Sequence, residues 1–455
     1  MWLKNKIKKL KLFRNDTRGT ALMFVLVFGS VAMTILISGI AGYAIFENKA
    51  SNHKHQREMA FHIAEAGVNY YRWHLAHNPN DYKDGTDSVG PYEHEYKDKD
   101  GNVIGYFSLD IEEPLAGSSV TTIKSTGWTI LAPNAKRTIQ VRVGFPALTD
   151  YSMLSNAGLS FGFTTVVHGA VHSNGEIRFD GLTDSWVDSH IRVQGGGGPK
   201  SFWRYPVAAI DFFGVTTDLS NIKDRSDDGG IHLTSSGVEG WNLVFKGDNF
   251  DLYKVTSLDC YNGEGTWRKR KQQYYWEGTV YCYDISNKTF VNNYDIPENG
   301  SIFIEDNAWV EGTVDGRVSV AVGRFPVQEP YKTLYISNNL VYNEKSSDDV
   351  IGLMSQGDII VPYEAPDPME INAAMLSQFG SIYHPYYYDS LRDSLSIFGS
   401  QISYDGGGWK YVNGLGHVVV GYENTYHSYD ANLKYYPPPS FPVGSVYELI
   451  SWEEL

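Results

Sequence analysis

Cysteine is nearly absent from this sequence, with two in 455 residues. So few cysteines exclude a miniprotein held by a disulfide framework and a zinc cluster made of cysteines. Basic residues are also scarce, 38 against 53 acidic ones, and the net charge of −15 excludes nonspecific nucleic-acid binding by the whole surface. A phosphate-binding P-loop, a dinucleotide fingerprint and a Ser/His/Asp constellation are missing. Glycine and aromatic residues are plentiful, and the 45 glycines show no three-residue period, which excludes collagen-like and disordered chains.

The charge is distributed unevenly along the chain. Residues 1–18 carry a net charge of +6, and the remaining 437 residues carry −21. Residues 19–46 contain no charge, and as a helix these 28 residues would extend ~42 Å, enough to cross a ~30 Å hydrocarbon core. Because basic residues mark the cytoplasmic side of such a helix, the sequence predicts a single-pass protein of the cytoplasmic membrane. Its N-terminus would lie inside and everything from Glu47 onward outside.

Three interpretations of the apolar segment compete. A secretory signal peptide has an apolar core of ~7–15 residues that ends at a small-residue cleavage site, and this core is longer and has no such site before Glu47. A plain membrane anchor is the second interpretation. The third interpretation is a single helix that spans the membrane and continues beyond it. The flanking residues suggest it, because helical patterning continues without a break until Asn78-Pro79, where proline ends it.

The flanking residues carry a resemblance to a known family. The junction Arg18-Gly19-Thr20-Ala21-Leu22 and the segment Ala60-Phe61-His62-Ile63-Ala64-Glu65-Ala66-Gly67 resemble the N-terminal region of type IV pilins, most of all PilX-type minor pilins. The resemblance covers residues 14–78. It implies a leader, 1–19, that a prepilin peptidase removes by cutting between Gly19 and Thr20. It also implies a transmembrane helix over 20–46 that continues outside as a stem over 47–78.

Two positions depart from the usual pattern of major pilins. The first and fifth residues after the cut are Thr20 and Phe24, where major pilins have an aromatic residue and a glutamate. In the family that glutamate meets the amino terminus of a neighbouring subunit, so its absence suits a minor, tip-located or priming subunit. The implied partners are the prepilin peptidase, other pilin-like subunits through this helix, and membrane lipid before assembly.

Small and apolar residues of the helix also predict packing. Ser38 and Gly42 are four residues apart, a spacing that lets helices approach closely in a bilayer, although small residues are common in membrane helices generally. Farther along, one apolar face is predicted to pack on the β domain that follows, and Ala64 and Gly67 would permit close contact there. The face comprises Phe61, Ala64, Val68, Tyr71 and Leu75.

The rest of the chain predicts an α+β protein that is mostly β. Residues 90–148 read as antiparallel strands with a hairpin turn at Asp100-Gly101, an arrangement similar to a pilin head. Residues 149–442 contain many short strands with glycine and asparagine between them, and related strands return every 16–24 residues. This favours a β-solenoid, or parallel β-helix, over a large sandwich. Residues 443–455 are expected to be a C-terminal tail.

The solenoid segment resembles uncharacterised β-helical ectodomains that are fused to PilX-type stems in bacterial surface proteins. The resemblance implies an architecture and a location but no chemistry. The residues that carry it are Gly169 to Gly175, Gly312 to Val320, Ile351 to Leu353, Val361-Pro362, Glu370 to Met375, Tyr429 to Leu433 and Pro437 to Pro439.

Candidate catalytic and metal-binding groups do not form a convincing constellation. Acidic clusters at 224–228 and 348–349 lie in polar, turn-like segments and are expected to be solvated. His168 and His172 lack an acidic residue nearby in sequence, and the histidines of the stem helix are expected to be exposed. No cofactor and no metal site are therefore expected.

Two features of residues 250–290 suggest structure or binding. Cys260 and Cys282 are expected to form a disulfide outside the cytoplasm, with two buried free thiols as the alternative. Between them lies a concentrated cationic and aromatic tip that could contact a surface glycan or DNA, although a plain soluble hairpin tip explains it as well. The tip residues are Trp267, Arg268, Lys269, Arg270 and Lys271.

Together these observations predict a non-enzymatic minor pilin or pseudopilin-like subunit. It would assemble into or prime a type IV pilus-like filament and display a β-rich ectodomain at the cell surface for contact or adhesion. The alternative is a permanently anchored surface enzyme or carbohydrate-binding β-helix protein.

Overall fold

A computed structural model describes residues 17–78, 81–114, 120–144, 148–210, 212, 215–270, 273–434, 436–442 and 448–455. The predicted leader therefore lies outside the described residues up to position 16, as does Lys271 of the hairpin tip. For Arg270, Gly19 and Thr20 only the backbone is described.

The chain begins with one long helix, α1 (Thr17–His77), of 61 residues. It is uninterrupted because proline is absent before position 79 and Gly67 is the one glycine between residues 47 and 77. Among the described residues this is the one helix long and apolar enough to cross a membrane, judged by length and composition. Every side chain from 21 to 50 is exposed in the isolated chain.

Strands dominate the rest of the described chain. In order they are β1 (Tyr92–Lys97), β2 (Val103–Glu112), β3 (Thr121–Thr129), β4 (Ala132–Gly144), β5 (Met153–Ser155), β6 (Leu159–Phe161), β7 (Thr165–His168), β8 (Val171–Ser173), β9 (Ile177–Phe179), β10 (Leu182–Thr183), β11 (Val187–Ser189), β12 (Val193–Gln194), β13 (Trp203–Arg204), β14 (Ile231–Leu233), β15 (Gly240–Gly247), β16 (Asn249–Arg270), β17 (Gln273–Asp295), β18 (Ser301–Ile304), β19 (Ala308–Val314), β20 (Arg317–Val322), β21 (Leu334–Tyr342), β22 (Val350–Ser355), β23 (Ile359–Ile360), β24 (Met369–Ser377), β25 (Ile382–Tyr383), β26 (Leu391–Ser403), β27 (Gly407–Gly408), β28 (Lys410–Val412), β29 (Val418–Tyr429) and β30 (Glu448–Glu454). A second helix, α2 (Val215–Asp227), and three short 3₁₀ helices, Leu148–Asp150, Lys200–Phe202 and Ala431–Lys434, complete the described elements.

A five-stranded antiparallel sheet packs on the C-terminal part of α1, in the order β1-β2-β3-β4-β30. We call it the head sheet. The last strand corrects the expectation of a C-terminal tail, because residues 448–454 pair with β4 and bring Trp452 opposite Val141. The free edge of β4 needs backbone partners, and a strand from the far end of the chain supplies them. Everything between Gly144 and Glu448 is thus inserted between two neighbouring strands of one sheet.

The inserted domain is built from parallel ladders of short strands. The first ladder runs β14-β18-β20-β22-β24-β26-β5-β8-β11-β13, and the second runs β15-β19-β21-β24-β26-β29-β7-β10. The third runs β15-β19-β21-β23-β25-β27, and a separate three-stranded sheet, β6-β9-β12, lies beyond its end. Side chains at one register position stack in the interior, as Ile302, Val320, Leu353 and Met375 do with no exposed surface.

The ladders do not follow the chain from one end to the other. The chain enters in the middle at β5, builds outward to β13, and then crosses through α2 to the opposite end at β14. From there it returns until β26 pairs with β5. Two arms of the inserted domain therefore meet at a seam. The expectation of a mostly β protein with one long N-terminal helix and an antiparallel module is confirmed.

Candidate functional site

The contact between α1 and the head sheet is unusually close. A Cβ added at Gly67 would lie 2.3 Å from Ser125 Oγ and 2.7 Å from Phe107 Cδ2. On the facing strand, a Cβ added at Gly127 would lie 2.3 Å from the carbonyl oxygen of Ala60 and 2.4 Å from the backbone nitrogen of Ala64. Glycine is needed on both surfaces because backbone and ring atoms occupy the space that a side chain would need. The apolar face expected from the helical spacing is the face that is buried here.

A cluster of histidine, aspartate and tyrosine side chains fastens the end of α1 to the head. His74 Nε2 lies 2.9 Å from Asp81 Oδ2, and His94 Nε2 lies 2.6 Å from Asp84 Oδ2. The Tyr70 hydroxyl donates to Asp84 at 3.1 Å. The backbone N–H of Lys83, with help from the His74 ring, holds the pKa of Asp81 below its ordinary value. His74 is therefore an interface residue, not the exposed position expected from the sequence.

The N-terminal half of α1 has no partner within the described chain. Added Cβ atoms at Gly29, Gly39 and Gly42 would meet no heavy atom within 4 Å. Ser38 and Gly42 thus lie on a bare apolar helix, whereas Ala64 and Gly67 lie against the sheet. One helix is half uncovered and half buried, and its uncovered half consists of the side chains that a bilayer or another apolar helix would accept.

The longest strands, β16 and β17, form a hairpin that lies over the outer face of the third ladder. Cys260 and Cys282 face each other across it and are joined by a disulfide. Side chains of the hairpin pack against outward-facing ladder residues, as in the contact between Tyr283 and Tyr335, whose ring centroids are 5.2 Å apart.

A buried carboxylate fixes the hairpin to the body. Asp284 is 3 % exposed and accepts hydrogen bonds from the backbone N–H groups of Glu364 at 2.7 Å and Tyr363 at 3.2 Å. Burial raises the pKa of Asp284 to about 6 despite these two bonds. Nearby, the ring of Tyr261 stacks on Tyr363 with centroids 4.0 Å apart, and Tyr387 packs edge-on against both. Sequence reasoning missed this docking because no local pattern marks it.

The hairpin tip brings together most of the predicted contact residues. Trp267 is half exposed and packs edge-on against Trp276 at 5.4 Å between centroids. Arg268 Nε lies 2.7 Å from Glu277 Oε2, and Lys269 Nζ lies 5.5 Å from the centre of the Tyr274 ring. The cross-strand carboxylate partly neutralises the tip, a feature that the run of basic residues does not reveal.

Other predicted polar clusters serve the fold. His168 Nδ1 lies 2.7 Å from Asp184 Oδ2, an acidic neighbour from the next turn of the chain, and His172 is buried beside Asn174. Asp224 and Asp227 belong to α2 and not to a turn. In the part of the chain that the structure describes, no group of three or more His, Cys, Asp or Glu could hold a metal ion.

Comparison with known proteins adds a structural likeness. No protein-family model matches this chain, and no curated protein is similar to it. Among solved structures, the chain is similar to the competence-associated pilin ComZ from Thermus thermophilus at 12 % sequence identity and a TM-score of 0.32, over 88 % of this chain and 97 % of that one. A likeness at this level carries no argument about function.

Proposed function

We propose that this protein is a minor pilin-like subunit that inserts its N-terminal helix in the cytoplasmic membrane and assembles through it into a pilus-like filament. One observation carries the proposal: α1 is a single continuous helix, bare over residues 21–50, apolar up to Phe46 and buried against an antiparallel sheet from Ala60 onward. The N-terminal residues similar to those of PilX-type pilins agree with this division. A plain anchor would not require the rigid continuation into the head.

The ectodomain is proposed to be a non-enzymatic β-solenoid displayed for surface contact. The parallel pairing of its three ladders supports a solenoid, because the alternative, a large β-sandwich, is built from antiparallel sheets. Its insertion between β4 and β30 attaches it to the head at both ends. This double attachment joins the ectodomain to the head sheet and leaves the exposed N-terminal half of α1 free to contact lipid or neighbouring subunits.

Processing of the leader provides the direct test. The full chain is co-expressed with a prepilin peptidase, and intact mass is measured. The proposal predicts the loss of residues 1–19. Gly19→Leu should block the loss, whereas the matched substitution Gly29→Leu, at a site with no heavy atom within 4 Å, should leave it unchanged.

An intact chain in the presence of active peptidase would contradict the pilin-like assignment and leave the permanent anchor. A positive control with an authentic prepilin in the same cells establishes that the peptidase is active. Equal processing of the Gly19→Leu and Gly29→Leu variants would contradict the position of the cut.

A further inference from the structure

The seam between the two arms of the ectodomain is closed on two sides and open on the third. In the first ladder, Gln401 to Ser403 pair with Met153 to Ser155, and in the second, Thr425 to Ser428 pair with Thr165 to His168. In the third ladder, closing the seam would require β27 to pair with β6. Among the described strands these two belong to separate sheets. The missing rung leaves a cleft of about 780 Å³, which we call the seam cleft. Its volume lies within the ~300–1,000 Å³ of small-molecule sites.

The cleft is open because a column of large side chains ends there. Trp309, Tyr335, Ile360 and Tyr383 occupy successive positions of one register on the outer face of the third ladder. The next position is Gly408, where an added Cβ would meet no heavy atom within 4 Å. The hairpin covers the large residues of the column, so the space begins where the column loses its side chain.

Aromatic rings and carboxylates line the cleft. Phe163 is 65 % exposed at its edge, and Tyr383 and Tyr411 are half-buried in its wall. Asp358 and Asp405 lie among them, and burial, with the nearby charge of Asp405, raises the pKa of Asp358. Neither carboxylate appears in an ion pair of the described residues, and Asp358 accepts hydrogen bonds from the backbone N–H of Ser381 at 2.8 Å and from the Tyr383 hydroxyl at 3.5 Å.

The basic groups of the cleft are already engaged. Arg178 Nε donates to Asp180 Oδ2 at 2.8 Å. Lys410 Nζ donates to Thr164 Oγ1 at 2.8 Å and to the carbonyl oxygen of Glu423 at 3.1 Å. A ligand would therefore meet flat apolar rings, hydrogen-bond acceptors and the remaining N–H groups of Arg178, whose charge is balanced by Asp180.

We propose that the seam cleft binds a neutral oligosaccharide. The apolar faces of sugar rings pack on aromatic rings, and sugar hydroxyls donate to carboxylates, so both kinds of lining group are used. An anionic polymer would meet carboxylates that have no cationic partner among the described residues, which disfavours it. An extended peptide completing the missing rung would use backbone pairing and would not need the carboxylates. The assignment does not depend on how the stem is processed or assembled.

The test measures binding by the full chain in a detergent without a sugar headgroup, using isothermal titration calorimetry. The probes are cellohexaose, maltohexaose and chitohexaose, with a heparin hexasaccharide and an alternating Val-Thr hexapeptide as competitors of other classes. Phe163→Ala removes the exposed ring, and Phe290→Ala, an exposed phenylalanine on the hairpin, is its matched control. Gly408→Trp fills the cleft from a position with open space.

We expect at least one neutral hexasaccharide to bind, with affinity reduced about tenfold by Phe163→Ala, abolished by Gly408→Trp and unchanged by Phe290→Ala. Thermal unfolding of each variant establishes whether it is folded. If Gly408→Trp does not fold, the comparison of Phe163→Ala with Phe290→Ala tests the proposal by itself. Absence of binding by all three neutral probes overturns the proposal. So does equal loss in Phe163→Ala and Phe290→Ala, or binding of the heparin or peptide probe alone.

Discussion

A methyl group added at Gly127 should loosen the stem from the head. The Gly127→Ala side chain would lie 2.3 Å from the carbonyl oxygen of Ala60, about 1 Å closer than the ~3.3–3.6 Å of a normal carbon–oxygen contact. The atoms that it would meet in Ala60 and Ala64 are all backbone atoms of α1, so none of them can rotate away as a side chain could. The helix as a whole must therefore move off the sheet.

The cost follows from the side chains beneath the helix. Ile63, Val68 and Leu75 are each at least 96 % buried there. Their burial is worth ~1.5–3 kcal/mol each, and a gap of 0.5–1 Å forfeits about a quarter of the contact energy. The loss is ~1–2 kcal/mol, and residual strain brings the expected destabilisation to about 2 kcal/mol.

Hydrogen exchange measured by mass spectrometry on peptides from residues 60–77 provides the assay, because it reports local opening without requiring the whole chain to unfold in one step. A loss of about 2 kcal/mol should speed exchange about 30-fold. Gly29→Ala, the same substitution where no atom lies within 4 Å, should leave these peptides unchanged. Exchange within about threefold of wild type in Gly127→Ala would refute the close contact.

Three further predictions concern the ectodomain. The raised pKa of Asp284, about 6, means that its stabilising contribution is present at low pH and is lost as pH rises from about 4 through 6. Asp284→Asn loses one of the two acceptors, so its effect on hairpin exchange relative to wild type should be less destabilising at pH 7.5 than at pH 4, and an equal effect at both would contradict the burial argument. Burial lowers the pKa of His427, whose Nδ1 accepts a hydrogen bond from Gln401, to about 3. The stabilising contribution of the neutral ring is therefore lost as pH falls below about 6.5. In urea unfolding, the free energy of unfolding of His427→Gln should fall less steeply with decreasing pH than that of wild type. Replacing Cys260 and Cys282 by serine should destabilise the hairpin by about 3 kcal/mol, as reductant should in the wild type, and unchanged exchange in both would show that the disulfide adds nothing.

The stem was predictable from sequence because its signals are local. Charge on residues 1–18, the apolar run over 19–46 and the periodic face from Phe61 to Leu75 each act within a few helical turns. The same holds for the hairpin turn at Asp100-Gly101, whose strands are neighbours in the chain. In these segments the periodicity of side chains and the preference of the backbone point to the same structure.

Features that join distant segments could not be predicted in this way. Residues 448–454 carry no signal that distinguishes a strand from a tail, because their pairing depends on a free edge more than 300 residues earlier. The same is true of Asp284, whose backbone partners lie about 80 residues ahead. Buried carboxylates of this kind become recognisable only when the groups around them are known.

The sequence alone determined that this protein has a basic N-terminal segment, a membrane-length apolar helix and a β-rich remainder, since composition and periodicity act locally. Only the tertiary structure decided that the β-rich domain is an insertion in the head sheet and that its two arms meet at an incompletely paired seam. The physical reason is that strand pairing depends on which edges meet in space, and no residue of β6 or β27 encodes by itself that its expected neighbour is missing.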